Sequence, residues 1–102
     1  MPRPPVPSAI AALAVCLSLF GFAASAEAAC FADYKAKTDN PLKLHYGVIK
    51  LPQNACDSKS ARAVIERRIG ADGWQLLNVM SVFDESGLEQ RKDSAGAYFL
   101  RY

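Results

Sequence analysis

The sequence predicts an α+β class domain of β-α-β-β order: a three-stranded antiparallel or mixed sheet with one helix. Two observations carry the expectation. A helical period begins at Ser58 and stops at Gly70 or Gly73, and it lies between apolar runs at 44–51 and 74–83; an aromatic-rich stretch, 97–102, then closes the chain.

The elements justify themselves in order. Arg3 in a Pro-rich start, an apolar run over 9–24, and Ala24-Ser25-Ala26 make a secretory leader. The run is too short and Ala-rich for a comfortable membrane span, and the small residues suit a signal peptidase. Residues 1–26 are therefore expected to be a cleaved signal peptide and 27–102 a single small domain, periplasmic or secreted, with no transmembrane span in the mature chain.

About 76 residues then remain, whose core buries only about 60% of the surface of the unfolded chain. Such a domain needs a staple. Cys16 falls in the leader, leaving Cys30 and Cys56 as an even pair in an oxidising compartment. They lie far apart rather than as Cys-x-x-Cys, so a disulfide is expected, worth roughly 3–4 kcal/mol by loop closure. A lipid on Cys30 is the other use of that thiol. Glu27-Ala28-Ala29 in front of it puts an acid where a lipoprotein signal wants an apolar residue. Leu13-Ala14-Val15 before Cys16 is closer, but Val15 is bulky at the cleavage position.

The formal net charge of +2 falls by one when Arg3 is lost, too little to direct the protein to nucleic acid or anionic lipid. Arg67-Arg68 and Arg91-Lys92 have acids beside them and read as a solvated, mixed-charge face.

After the turn-like Asp39-Asn40-Pro41, residues 44–51 form the first strand and end at Pro52. Asp57 or Ser58 caps the helix, and Ala61, Val64, Ile65 and Ile69 share one face. Trp, Val, Met and Phe crowd the strand at 74–83, both faces of which are largely apolar. The polar run 84–94 reads as a long hairpin-type connection to a third strand at 97–102.

Ile69-Gly70-Ala71-Asp72-Gly73-Trp74-Gln75-Leu76-Leu77, followed by a strand, a loop and Tyr98-Phe99-Leu100-Arg101-Tyr102, resembles a widespread family of very small β-α-β-β domains of unknown function. These carry a Leu-Gly-Ala-Glu-Gly-Trp-Glu-Leu type motif at the same helix-to-strand junction. The resemblance covers residues 44–102 and implies the same fold, with no catalytic residue. The leader, the cysteines and the segment before Leu44 depart from it. The motif also has a physical reading: Gly73 takes a positive φ that stops the helix, and Trp74 folds over the helix end as a core anchor.

Three strands and one helix, the arrangement of half a ferredoxin-like fold, leave one sheet face bare. Bonding Cys30 to Cys56 draws the start of the mature chain to the far end of the first strand. Residues 31–43 can span about 43 Å, enough to retrace a strand of about 27 Å. Residues 31–37 are thus expected alongside the first strand as a fourth edge segment or across the open face, with Phe31 and Tyr34 as packing residues. A homodimer pairing two open faces is the other cover.

His45 is the only histidine, and Tyr46, its neighbour on a strand, points to the opposite face. No ligand spacing closes a metal site, no Gly-rich loop cradles a phosphate, and no nucleophile has a base partner. No metal and no cofactor are expected. Asp84, Glu85, Glu89 and Asp93 lack the register of a calcium loop. The length of 84–94 nonetheless makes it the candidate binding loop, with Glu85, Glu89, Arg91 and Lys92 as its charged residues. The sequence therefore reads as a secreted, disulfide-stabilised binding or interaction module for an unknown protein or small molecule. The alternatives are a small enzyme whose pocket, shared between protomers, uses His45 with Tyr46 or Tyr34, and a Cys30-lipidated envelope protein.

Overall fold

Alternation organises the first strand. Small or aromatic residues at Cys30, Ala32, Tyr34 and Ala36 interleave with Phe31, Asp33, Lys35 and Lys37, a period of two that sends the sets to opposite faces. In a computed structural model, which describes residues 28–102, this segment is β1 (Cys30–Thr38). A short turn leads into β2 (Lys43–Leu51), followed by α1 (Ser58–Gly70), β3 (Gln75–Asp84) and α2 (Glu89–Ala95). The proposed leader, residues 1–26, and Glu27 lie outside the described residues.

The sheet order is β2-β1-β3, antiparallel throughout. Tyr34 stands opposite Gly47 and Val79, and Ala36 opposite His45 and Leu76; Asp33 on the other face is opposite Val48 and Ser81. The β1–β3 register slips twice, passing over Met80 and Leu77, and both are exposed.

The inner face packs on α1. Ala61, Val64, Ile65 and Ile69 meet Ala32, Tyr34, Ala36, Ile49 and Leu51. Burying each large aliphatic side chain here contributes about 1.5–3 kcal/mol. Asp57 caps the helix by accepting from the Ser60 N–H at 2.8 Å. At the other end Gly73 has φ +86°; its N–H donates to the Gly70 carbonyl and the Trp74 N–H to that of Ile69. Trp74 then packs against the core. A disulfide joins Cys30 to Cys56, tying the first residue of β1 to the connector before α1.

The outer face is only half roofed. Asp84 accepts from the Ser86 N–H to start a turn, and α2 folds back over Phe31, Asp33 and Phe83. Glu89 in its first turn and Lys92 in its last suit the helix dipole.

The α+β class and the three-stranded antiparallel sheet agree with the sequence reading, as do β2, α1 with its four buried residues, and Gly73. Residues 31–37 do lie alongside the first expected strand, with Phe31 and Tyr34 buried, but as the central strand rather than a fourth edge segment. Their inner face is covered throughout and their outer face at Phe31 and Asp33, while Lys35 is exposed. Residues 97–102 are not the third strand: they make a 3-10 turn (Gly96–Tyr98) and one parallel bridge, Phe99 to Val48. Their tyrosines pack on His45 instead. Residues 84–94 form turn and helix rather than an open connection, because Arg91 and Ala95 give that stretch an inward side.

Candidate functional site

Two groupings of side chains stand out, one on each face. On the inner face Ala36 opposite His45 leaves room beside the sheet, and aromatic rings fill it. The Tyr34 ring lies over Gly47, where a Cβ would stand 2.5 Å from Tyr34 Oη. From there Tyr34 Oη meets His45 Nε2 at 3.0 Å. Tyr98 stacks on the imidazole at 3.8 Å between centroids and 6° between planes, and Trp74 meets it edge-on at 4.2 Å. Tyr102 lies 6.4 Å away, with its hydroxyl donating to Asp72. His45 is 8% exposed, and its Nδ1 is buried with no hydrogen-bond partner.

Burial among these rings, then the charge of Arg101, holds the His45 imidazole below its ordinary pKa. Burial, then the Tyr102 and Tyr98 phenols, pushes the Tyr34 hydroxyl up. A base needs its lone pair within reach of a substrate proton. Here Nε2 is engaged by Tyr34 and one ring face is covered by Tyr98, so the cluster is built to hold the C-terminal segment against the sheet.

On the outer face Asp33 gathers three partners. It accepts from Ser81 Oγ at 2.6 Å, Tyr46 Oη at 2.7 Å and Arg91 Nε at 2.9 Å. Arg91 also donates to the Gly87 carbonyl at 2.8 Å and lies 4.0 Å over the Phe83 ring. Burial alone would raise the Asp33 pKa; the hydrogen bonds from Ser81, Tyr46 and Arg91, and the Arg91 charge, outweigh it and hold the carboxyl below its usual value. Burial first, then the bond to Asp33 and its charge, lifts the Tyr46 phenol to about 12.

Tyr46 marks the border of the roof. Beyond it the outer face is open, and Lys35, Ala36, Leu44, His45, Tyr46 and Leu77 line a recess of about 310 Å³. Leu44 is 67% and Leu77 43% exposed. Lys35 lies between Tyr46 and Asn78 on the central strand. Among the described residues Lys35 has no ion-pair partner, whereas Lys37 is 3.4 Å from Asp39.

The residues singled out in the sequence are placed as follows. Cys30 and Cys56 are bonded. Tyr34 meets His45 within one chain, while Tyr46 faces the other way, as strand alternation requires. Glu85 belongs to a 3-10 turn; Glu89 and Lys92 are exposed on α2, and Arg91 turns inward to Asp33. The recess was missed because Lys35 and Leu44 come together only through pairing. Exposed Leu42 and Leu44 flanking Lys43 at the hairpin were the available signal. Among the described residues no three His, Cys, Asp or Glu gather to hold a metal, and no helix is long and apolar enough to cross a membrane. Comparison of the chain with protein-family models, curated proteins and solved structures returns no match.

Proposed function

We propose that the protein is a small exported binding module that works in the periplasm or outside the cell, with its ligand held on the unroofed half of the sheet. The observation that carries the reading is the recess of about 310 Å³ beside Lys35, at the small end of the range of ligand pockets. It is walled by Leu44 and Leu77 on a sheet that the Asp33–Arg91 pair and the disulfide hold rigid. The enclosure of the only imidazole by Tyr34, Trp74 and Tyr98 favours binding over a shared-pocket enzyme. Engagement of Cys30 Sγ by Cys56 favours a free domain over a lipid-anchored one. The Gly73-Trp74 junction supports kinship with the small β-α-β-β domains that its motif resembles.

Two measurements test this. Intact mass of the protein recovered from its host should give a chain starting near Glu27, with two thiols alkylated only after reduction. Retention of residues 1–26, or acyl mass on Cys30, overturns the exported, unanchored form. Amide spectra of the 15N-labelled protein, titrated with the fractionated low-mass contents of its compartment, should shift saturably at Lys35, Leu44 and Leu77. Fractions that leave those amides unmoved overturn the site.

A further inference from the structure

We infer that the recess binds small monoanions with an apolar tail, the carboxylate on Lys35 and the tail between Leu44 and Leu77. The inference rests on the binding-module reading and names the ligand class for the same site.

Charge selects the occupant. Lys35 stands on the middle strand, with Tyr46 and Asn78 directly across from it, so neither neighbour in register is an acid. Lys37, two residues on and on the same face, has Leu44 and Gln75 as its neighbours. The two acids on or beside this face are already engaged, Asp33 by Arg91 at 2.9 Å and Asp39 by Lys37 at 3.4 Å. The recess therefore presents one cation without an ion-pair partner, Lys35, beside Leu44, Tyr46 and Leu77. A second copy of the chain is disfavoured as the cover, because a two-fold contact through this face would set Lys35 and Lys37 against themselves. Nucleic acid would need a row of cations, and here there are two, one of them already beside Asp39.

Size and shape narrow the class further. Leu44 and Tyr46 flank about 7 Å of strand, the reach of a chain of about six to eight carbons. Leu77 faces this strip from β3 because the register slips past it, leaving its side chain out of the regular pairing. The bulge thus supplies the second wall. The Tyr46 ring closes the inner end, its hydroxyl held by Asp33. An ammonium at one place and aliphatic walls beside it match an anionic head and a hydrocarbon tail.

Octanoate is the probe, added to the 15N-labelled protein recovered after export with its own leader. The expected result is saturable shifts at Lys35, Leu44, Tyr46 and Leu77, with a dissociation constant on the order of 1 mM for so few ligand atoms. Octan-1-ol and octyltrimethylammonium, with the same tail, should bind about five-fold more weakly or not at all, the worth of a solvent-accessible ion pair. Lys35→Gln should reduce octanoate affinity by the same factor, and Lys35→Arg should keep it. Lys35 is exposed, so amide dispersion should stay native in both variants. Equal binding of octan-1-ol, or octanoate shifts confined to other residues, overturns the inference. If compartment fractions shift the recess and octanoate does not, the ligand class fails and the binding-module reading stands; if neither does, both fail.

Discussion

Tyr34 and Gly47 face each other across β1 and β2 so closely that the ring occupies the space a glycine Cβ would take. The phenol thereby lies flat on the neighbouring strand and reaches His45. Gly47→Ala should push the ring away, break its bond to His45 and destabilise the domain by about 1–3 kcal/mol. Urea unfolding followed by Trp74 fluorescence measures this; an unchanged midpoint would show that the ring has room to move.

His45 makes stability depend on pH. Its folded pKa lies below the unfolded value, so the folded state resists the proton that the unfolded chain accepts. The stability it contributes is fully present above about pH 6.5 and is lost as pH falls from there through the lower folded value. Tyr34, Trp74, Tyr98 and Tyr102 face the ring, with Arg101 over the tyrosines; Asp72 is engaged by Tyr102. The urea midpoint should be lower at about pH 5 than at about pH 7.5, and His45→Phe should flatten the difference. Equal slopes in the two proteins would assign the loss to other groups.

Arg91→Ala should free α2 and leave Asp33 with two partners. The expected cost is roughly 2–3 kcal/mol, that of removing a charged hydrogen-bond partner from a largely buried carboxylate. Hydrogen exchange would report it as loss of protection in residues 89–95, with α1 unaffected. Arg91 is thus a support, so binding by the segment 84–94, expected from its length, is best probed through Glu85, Glu89 and Lys92 alone. Replacing those three should leave the fold intact, and any ligand that survives their loss binds elsewhere.

Cys56→Ser should lower stability by roughly 3–4 kcal/mol through the freed loop. Protease sensitivity should appear first in residues 28–31 and 52–57, which the bond ties together. A variant as resistant as the parent would show that the sheet alone fixes that end.

The helix was legible because its four inward residues repeat at helical spacing, and β2 and β3 because β-branched and aromatic residues are dense there. The strand at Cys30–Thr38 carries a clear period of two, but nothing local says that it is the central strand or that its outer face is covered as far as Asp33. Asp33 shows why: its partners Tyr46, Ser81 and Arg91 lie 13, 48 and 58 residues away. The tail misled for the opposite reason. Tyr98 and Tyr102 have the composition of a strand, yet they are held by stacking on His45, an interaction with no sequence period.

The strand order has a consequence for how the chain is made. The earliest strand lies in the middle, so β1 can close a hairpin with β2 at once, but its other edge waits for a partner whose last residue, Asp84, pairs with Cys30. Until then α1 has only two strands to rest on, too small a platform for a stable domain. The sheet therefore cannot close during synthesis until residue 84 has been made, so the hairpin of β1 and β2 must wait with one edge and one face of β1 uncovered.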